Sequence, residues 1–119
     1  VEDVDVNREI ARMLLENLGF ETETAENGKE AVDILASGAA KFDAVLMDIQ
    51  MPVMDGYEAT RAIRALDDPS VKNIPVIAFT ANAFDEDIRK SQEAGMNAHV
   101  AKPIDVDQLT RVLSGILNR

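Results

Sequence analysis

Asp48 closes an apolar run, Ala44-Val45-Leu46-Met47, and two turn signals follow it at once, Met51-Pro52 and Asp55-Gly56. Three more positions with chemical capacity share that setting. Glu2-Asp3 stands at the start of the chain, Thr80-Ala81 ends the apolar run that begins at Ile74, and Lys102-Pro103 ends the short run from His99. In a right-handed parallel sheet the carboxyl ends of all strands share one edge, so these distant residues converge there. Carboxylates brought together repel: at an effective dielectric of 20, a like pair about 4 Å apart costs on the order of 4 kcal/mol. A proton or a cation must relieve that cost. The cations on offer are Lys102 and a hard divalent ion, and a sparse all-oxygen site with room for water suits Mg2+.

The elements that must position these residues alternate along the chain. Ile10, Met13, Leu14 and Leu18 recur at helical spacing and Gly19 closes that helix. Phe20 to Ala25 alternates as a strand does, and Asn27-Gly28 turns into a helix carrying Ala31, Ile34 and Leu35. A strand follows at 43–47, then a helix marked by Tyr57, Ile63 and Leu66 that ends near Asp67-Asp68-Pro69. Ile74 to Thr80 is the next strand, Asp85 to Ala94 a helix stopped by Gly95, His99 to Ala101 a short strand, and Asp105 to Leu117 a final amphipathic helix. Helices alternating with short apolar runs predict a parallel sheet covered on both faces. Only four strands are visible beside five helices. Val1-Glu2-Asp3 reads as the end of a first strand whose apolar body lies upstream or comes from another chain.

The 119 residues predict one domain, and 46% apolar composition is that of an ordinary globule. A formal charge of −10 argues against this domain gripping nucleic acid or an anionic membrane. There is no cysteine and one histidine, which removes disulfides, thiolate chemistry and His-rich metal sites. With no signal peptide and no apolar run of membrane-spanning length, the expected location is cytoplasmic, with a membrane-bound parent still open.

Taken in order, Glu2-Asp3, Met47-Asp48, Met51-Pro52, Met54-Asp55-Gly56, Thr80-Ala81 and Lys102-Pro103 resemble the receiver domain of two-component response regulators. The separations are 45 residues from Asp3 to Asp48, 32 on to Thr80 and 22 on to Lys102. The resemblance implies a doubly wound, flavodoxin-like α/β fold: a five-stranded parallel sheet of order 2-1-3-4-5 flanked by five helices, with the first strand largely missing from this sequence. It implies that Asp48 accepts a phosphoryl group from a phosphohistidine. Asp3, Asp48 and the Gln50 backbone carbonyl would bind Mg2+, and Glu2 would hold a metal-bound water. Lys102, the Thr80 hydroxyl and the Ala81 N–H would take phosphoryl oxygens. Gln50 and Asn82 would flank the water that later attacks the acyl phosphate. Pro52, Gly56 and Pro103 would be structural. His99 departs from the family, which often places a tyrosine or phenylalanine at this switch position, so weaker or pH-sensitive coupling to Thr80 is expected.

The segments Phe79-Thr80-Ala81-Asn82-Ala83-Phe84, Ala94-Gly95-Met96-Asn97-Ala98-His99 and Asn7-Arg8-Glu9 look most like receivers of hybrid sensor histidine kinases. The implied partners are a histidine kinase dimerisation domain or a histidine phosphotransfer protein, docking on the first helix and the loops near Asp48. The domain would be no enzyme by itself, beyond catalysing its own phosphorylation and dephosphorylation. Alternatives are a stand-alone or transcription-factor-fused receiver, a non-phosphorylated docking module, and a haloacid-dehalogenase-like phosphatase built on Asp3-Val4-Asp5-Val6.

Overall fold

The computed structural model describes residues 1–38, 42–49, 51–80, 85–101 and 105–117. In chain order these form α1 (Asp5–Asn17), α2 (Gly28–Ser37), β1 (Val45–Asp48), α3 (Gly56–Arg64), the short α4 (Pro69–Lys72), β2 (Val76–Thr80), α5 (Asp85–Ala94), β3 (Ala98–Ala101) and α6 (Val106–Leu117). The three strands are parallel and ordered β1-β2-β3. Val45 pairs with Val76 and Asp48 with Phe79, while Ile77 pairs with Ala98 and Thr80 with Ala101.

β2 is the central strand and is buried at every position. Its sequence, Val-Ile-Ala-Phe-Thr, is accordingly a continuous apolar run up to the threonine, as a parallel strand covered on both faces requires. Two apolar clusters flank the sheet. Met47, Val76, Ala78, Ala59 and Ile63 pack on the side of α2 and α3, whereas Ile77, Phe79, Val100, Leu109 and Leu113 pack on the side of α6.

Local signals set the helix starts. The Asn27 side chain accepts the Glu30 N–H at 2.9 Å, and Gly38 ends α2 in the left-handed conformation. Asp55 and Glu58 form a reciprocal capping box at the start of α3. Arg64, at the far end of that helix, donates to the carbonyls of Lys72, Ile74 and Gly95 and to Asn97 Oδ1, tying α3 to the loops before β2 and β3.

The expected strand over Phe20 to Ala25 does not form: the segment carries no strand assignment among the described residues. The reason is its neighbour. Val1 and Glu2 lie between that segment and β1, with the Val1 amino group donating to Leu46 O at 2.6 Å, the Asp48 N–H to Val1 O at 3.0 Å, and the Glu2 N–H to Ala25 O at 3.1 Å. These bonds reproduce the expected spatial order, 20–25, then 1–2, then β1, β2 and β3. Among the described residues the sheet counts three strands where five were expected. A sixth helix, the single turn α4, also appears where the sequence suggested only a helix end.

Candidate functional site

The sheet places its carboxylates where the topology demands. Asp48 ends β1, and its side chain is brought to those of Glu2 and Asp3: one carboxylate oxygen from each lies within 4.8 Å of the others. Glu2 and Asp48 are only 3% and 4% exposed, so water does little to soften their repulsion. Glu2 is held from both sides. Its carboxylate accepts the Val4 N–H at 3.3 Å, and its backbone carbonyl accepts from Arg8 Nη1 at 3.0 Å. Thr80 ends β2 at the same edge, one residue beyond the partner of Asp48, and is 7% exposed.

The loop after Asp48 is built to stay close. The Gly56 N–H donates to Ile49 O at 2.8 Å, and a Cβ on Gly56 would stand 2.4 Å from Asp48 O. Only glycine lets the start of α3 pass so near the acid. Between them Val53 adopts φ 70°, a left-handed conformation rare for a β-branched residue, while Met54 N–H closes a tight turn on Pro52 O at 2.7 Å.

His99 sits in β3, half-buried, with Nε2 enclosed and without a hydrogen-bond partner among the described residues. Desolvation lowers its pKa, which favours the neutral ring.

Gln50, Ala81, Asn82, Lys102 and Pro103 lie outside the described residues. Among the expected site residues, Glu2, Asp3, Asp48 and Thr80 are brought to one edge. Arg8 is the contributor that the pattern of strand ends did not reveal. It reaches Glu2 O, pairs with Asp5, and stands 3.9 Å from Glu26, so a cation abuts the acid cluster from α1. In the sequence it was marked by Asn7-Arg8-Glu9 and as a basic residue in an otherwise acidic opening.

A comparison with protein families decides what this edge belongs to: the response regulator receiver domain matches residues 1–114. The chain is a receiver domain. It is 39% identical over 116 residues to hybrid signal transduction histidine kinase I of Dictyostelium discoideum, covering 95% of this chain and 7% of that protein. It is 37% identical over 117 residues to the polar-differentiation response regulator DivK of Brucella anthropi, covering 98% of this chain and 92% of DivK. Among solved structures, the receiver domain of a sensor histidine kinase from Pseudomonas aeruginosa superposes with a TM-score of 0.88 at 38% identity, covering 100% of this chain and 94% of that one. That crystal structure carries a magnesium ion coordinated in its active-site cleft. The receiver therefore spans a small fraction of the kinase relative and nearly all of the stand-alone regulator, and its fold is the flavodoxin-like one expected.

Proposed function

We propose that this receiver accepts a phosphoryl group on Asp48 from a phosphohistidine, in a Mg2+-dependent phosphorelay of a hybrid histidine kinase. The observation that carries the reading is the convergence of Glu2, Asp3 and Asp48 carboxylates within 4.8 Å at the carboxyl edge of the sheet. A buried all-oxygen set of this kind fits a hard divalent cation, with Asp3 and Asp48 as direct holders and Glu2 through water. Bound there, Mg2+ would supply charge neutralisation for the phosphoryl oxygens.

The chain's own residues supply the rest. An Asp48 carboxylate oxygen attacks phosphorus, the N–P bond of the phosphohistidine breaks, and the electron pair leaves with the imidazole, giving an acyl phosphate. Thr80 ends the neighbouring strand, and its hydroxyl would donate to a phosphoryl oxygen, as the family resemblance implies. Lys102, Ala81 and the backbone of Gln50 keep the roles that the family resemblance gives them, as do Gln50 and Asn82 in setting the lifetime. The acyl phosphate adds roughly −1.5 to −2 charges to the edge, if it ionises as a phosphomonoester does.

The outer face of α1 supports a helical partner such as a histidine phosphotransfer protein. Val6, Ile10 and Met13 fall at i, i+4 and i+7 and are 66%, 47% and 52% exposed. The phosphatase reading loses its basis, because Asp5 opens α1, is exposed and pairs with Arg8. Cytoplasmic location fits this role; no helix among the described residues is long and apolar enough to cross a membrane.

The test is phosphorylation by phosphoramidate with Mg2+, read on a phosphate-affinity gel. Asp48→Asn should abolish the shifted band, and Asp3→Asn should slow its appearance on the order of a hundredfold. An undiminished shift in Asp48→Asn would overturn the proposal.

A further inference from the structure

Arg8 stands one turn into α1, its backbone N–H donating to Val4 O at 2.9 Å, and its side chain is 18% exposed. The guanidinium meets three separate segments. One is α1 itself, through the Asp5 carboxylate, and another is the loop before α2, where Glu26 Oε1 lies 3.9 Å away. The third is the acid cluster, where Nη1 donates to Glu2 O at 3.0 Å. The Asp5 pair alone is a contact between helix neighbours with an exposed carboxylate, worth little. The bond to Glu2 O differs in kind, because it runs back six residues to the start of the site.

Which atom accepts that bond matters. Glu2 O belongs to the peptide group that joins Glu2 to Asp3. Holding that planar group holds ψ of Glu2 and φ of Asp3, the two angles that turn one acid relative to the other. Glu2 is also tied by its N–H to Ala25 O at 3.1 Å, and its carboxylate accepts the Val4 N–H at 3.3 Å. Asp3 forms no hydrogen bond among the described residues, so its place in the cluster depends on its neighbours in the chain.

We infer that Arg8 is a positioning residue for the cation site: by holding the Glu2–Asp3 peptide group it keeps the Asp3 carboxylate turned toward Glu2 and Asp48. A divalent cation then meets a cluster already formed. The cation half of this inference rests on the proposed function; the hold on Asp3 stands without it. By charge alone Arg8 would act the opposite way. A guanidinium beside the cluster repels an incoming cation, and its removal would tighten binding. Asp5 and Glu26 offset that charge, which leaves the placement of Asp3 as the dominant effect. Groups that orient a metal's holders from behind change affinity by about 10–100-fold when removed.

The experiment compares the parent with Arg8→Met, which keeps the apolar stem without charge or donors, and with Arg8→Lys, which keeps the charge and one donor. Arg8→Gln replaces Arg8→Met should the latter not fold. Backbone amide relaxation of the metal-free proteins reads the order of Asp3, and titration with MgCl2 followed by amide shifts reads the affinity. In Arg8→Met the Asp3 order parameter should fall from about 0.85 to below about 0.6. Its Mg2+ affinity should drop about tenfold. Arg8→Lys should return to within about threefold of the parent, because a single carbonyl needs only one donor. Unchanged or tighter Mg2+ binding in Arg8→Met would overturn the inference, since it is the outcome of charge without positioning. An Asp3 order parameter equal in parent and Arg8→Met would overturn it too. Absence of Mg2+ binding in the parent would refute the proposed function, and the Asp3 order parameters would still decide whether Arg8 holds the acid pair.

Discussion

The Asp48 N–H donates to the Val1 carbonyl oxygen at 3.0 Å, joining residues 47 positions apart in sequence. That single bond places the chain's opening acids beside the acid at the end of β1. Because Glu2 and Asp3 follow Val1 directly, the cluster depends on backbone pairing rather than on side-chain packing. Weakening this rung should loosen the acid cluster before it unfolds the domain.

Gly56→Ala should destabilise the fold by about 2–4 kcal/mol, because the new Cβ would meet Asp48 O at 2.4 Å and Ile49 Cα at 2.8 Å, both backbone atoms that cannot swing aside. Urea unfolding measures the loss. A midpoint equal to that of the parent would show that α3 can withdraw from Asp48 at no cost.

Val53→Asn should stabilise the protein by about 1 kcal/mol. Val53 holds φ 70° with its side chain 76% exposed, so the substitution relieves a left-handed β-branched residue and sacrifices no packing. A lower urea midpoint for the variant would contradict this account.

Arg64→Lys should cost about 2–3 kcal/mol even though the charge is kept. The guanidinium reaches Gly95 O at 2.7 Å, Lys72 O at 2.8 Å, Ile74 O at 2.6 Å and Asn97 Oδ1 at 2.9 Å, a fork that one ammonium cannot span. Its pKa is lowered by burial, as expected of a cation held mainly by neutral carbonyls. Full rescue by lysine, measured as thermal stability, would mean that charge alone matters.

Stability should rise with pH through the range where histidine titrates. Desolvation depresses the His99 pKa on folding, so in that range the unfolded chain holds a proton that the folded chain has lost. Urea midpoints should climb from about pH 5 to 7, and His99→Phe should flatten the climb. A flat profile in the parent chain would sink the prediction.

Much of this was legible in the residues. Asp48 after an apolar run, Thr80 after another and the Asp55-Gly56 turn sit where their patterns put them, since period and turn chemistry are local properties. Arg64 and Arg8 were not legible, because what an arginine reaches depends on which loops arrive beside it. The same is true of Val53, whose side chain gives no hint of a left-handed backbone.

By itself the sequence determined the alternation of helices and strands, the family, and that Asp48 closes a strand. Only the tertiary structure decided that Phe20 to Ala25 carries no strand assignment and how the opening acids reach Asp48. A strand's propensity is local, but its ladder requires a neighbour to pair with. Here the Asp48 N–H to Val1 O and the Glu2 N–H to Ala25 O are long-range bonds that bring Glu2 and Asp3 to Asp48.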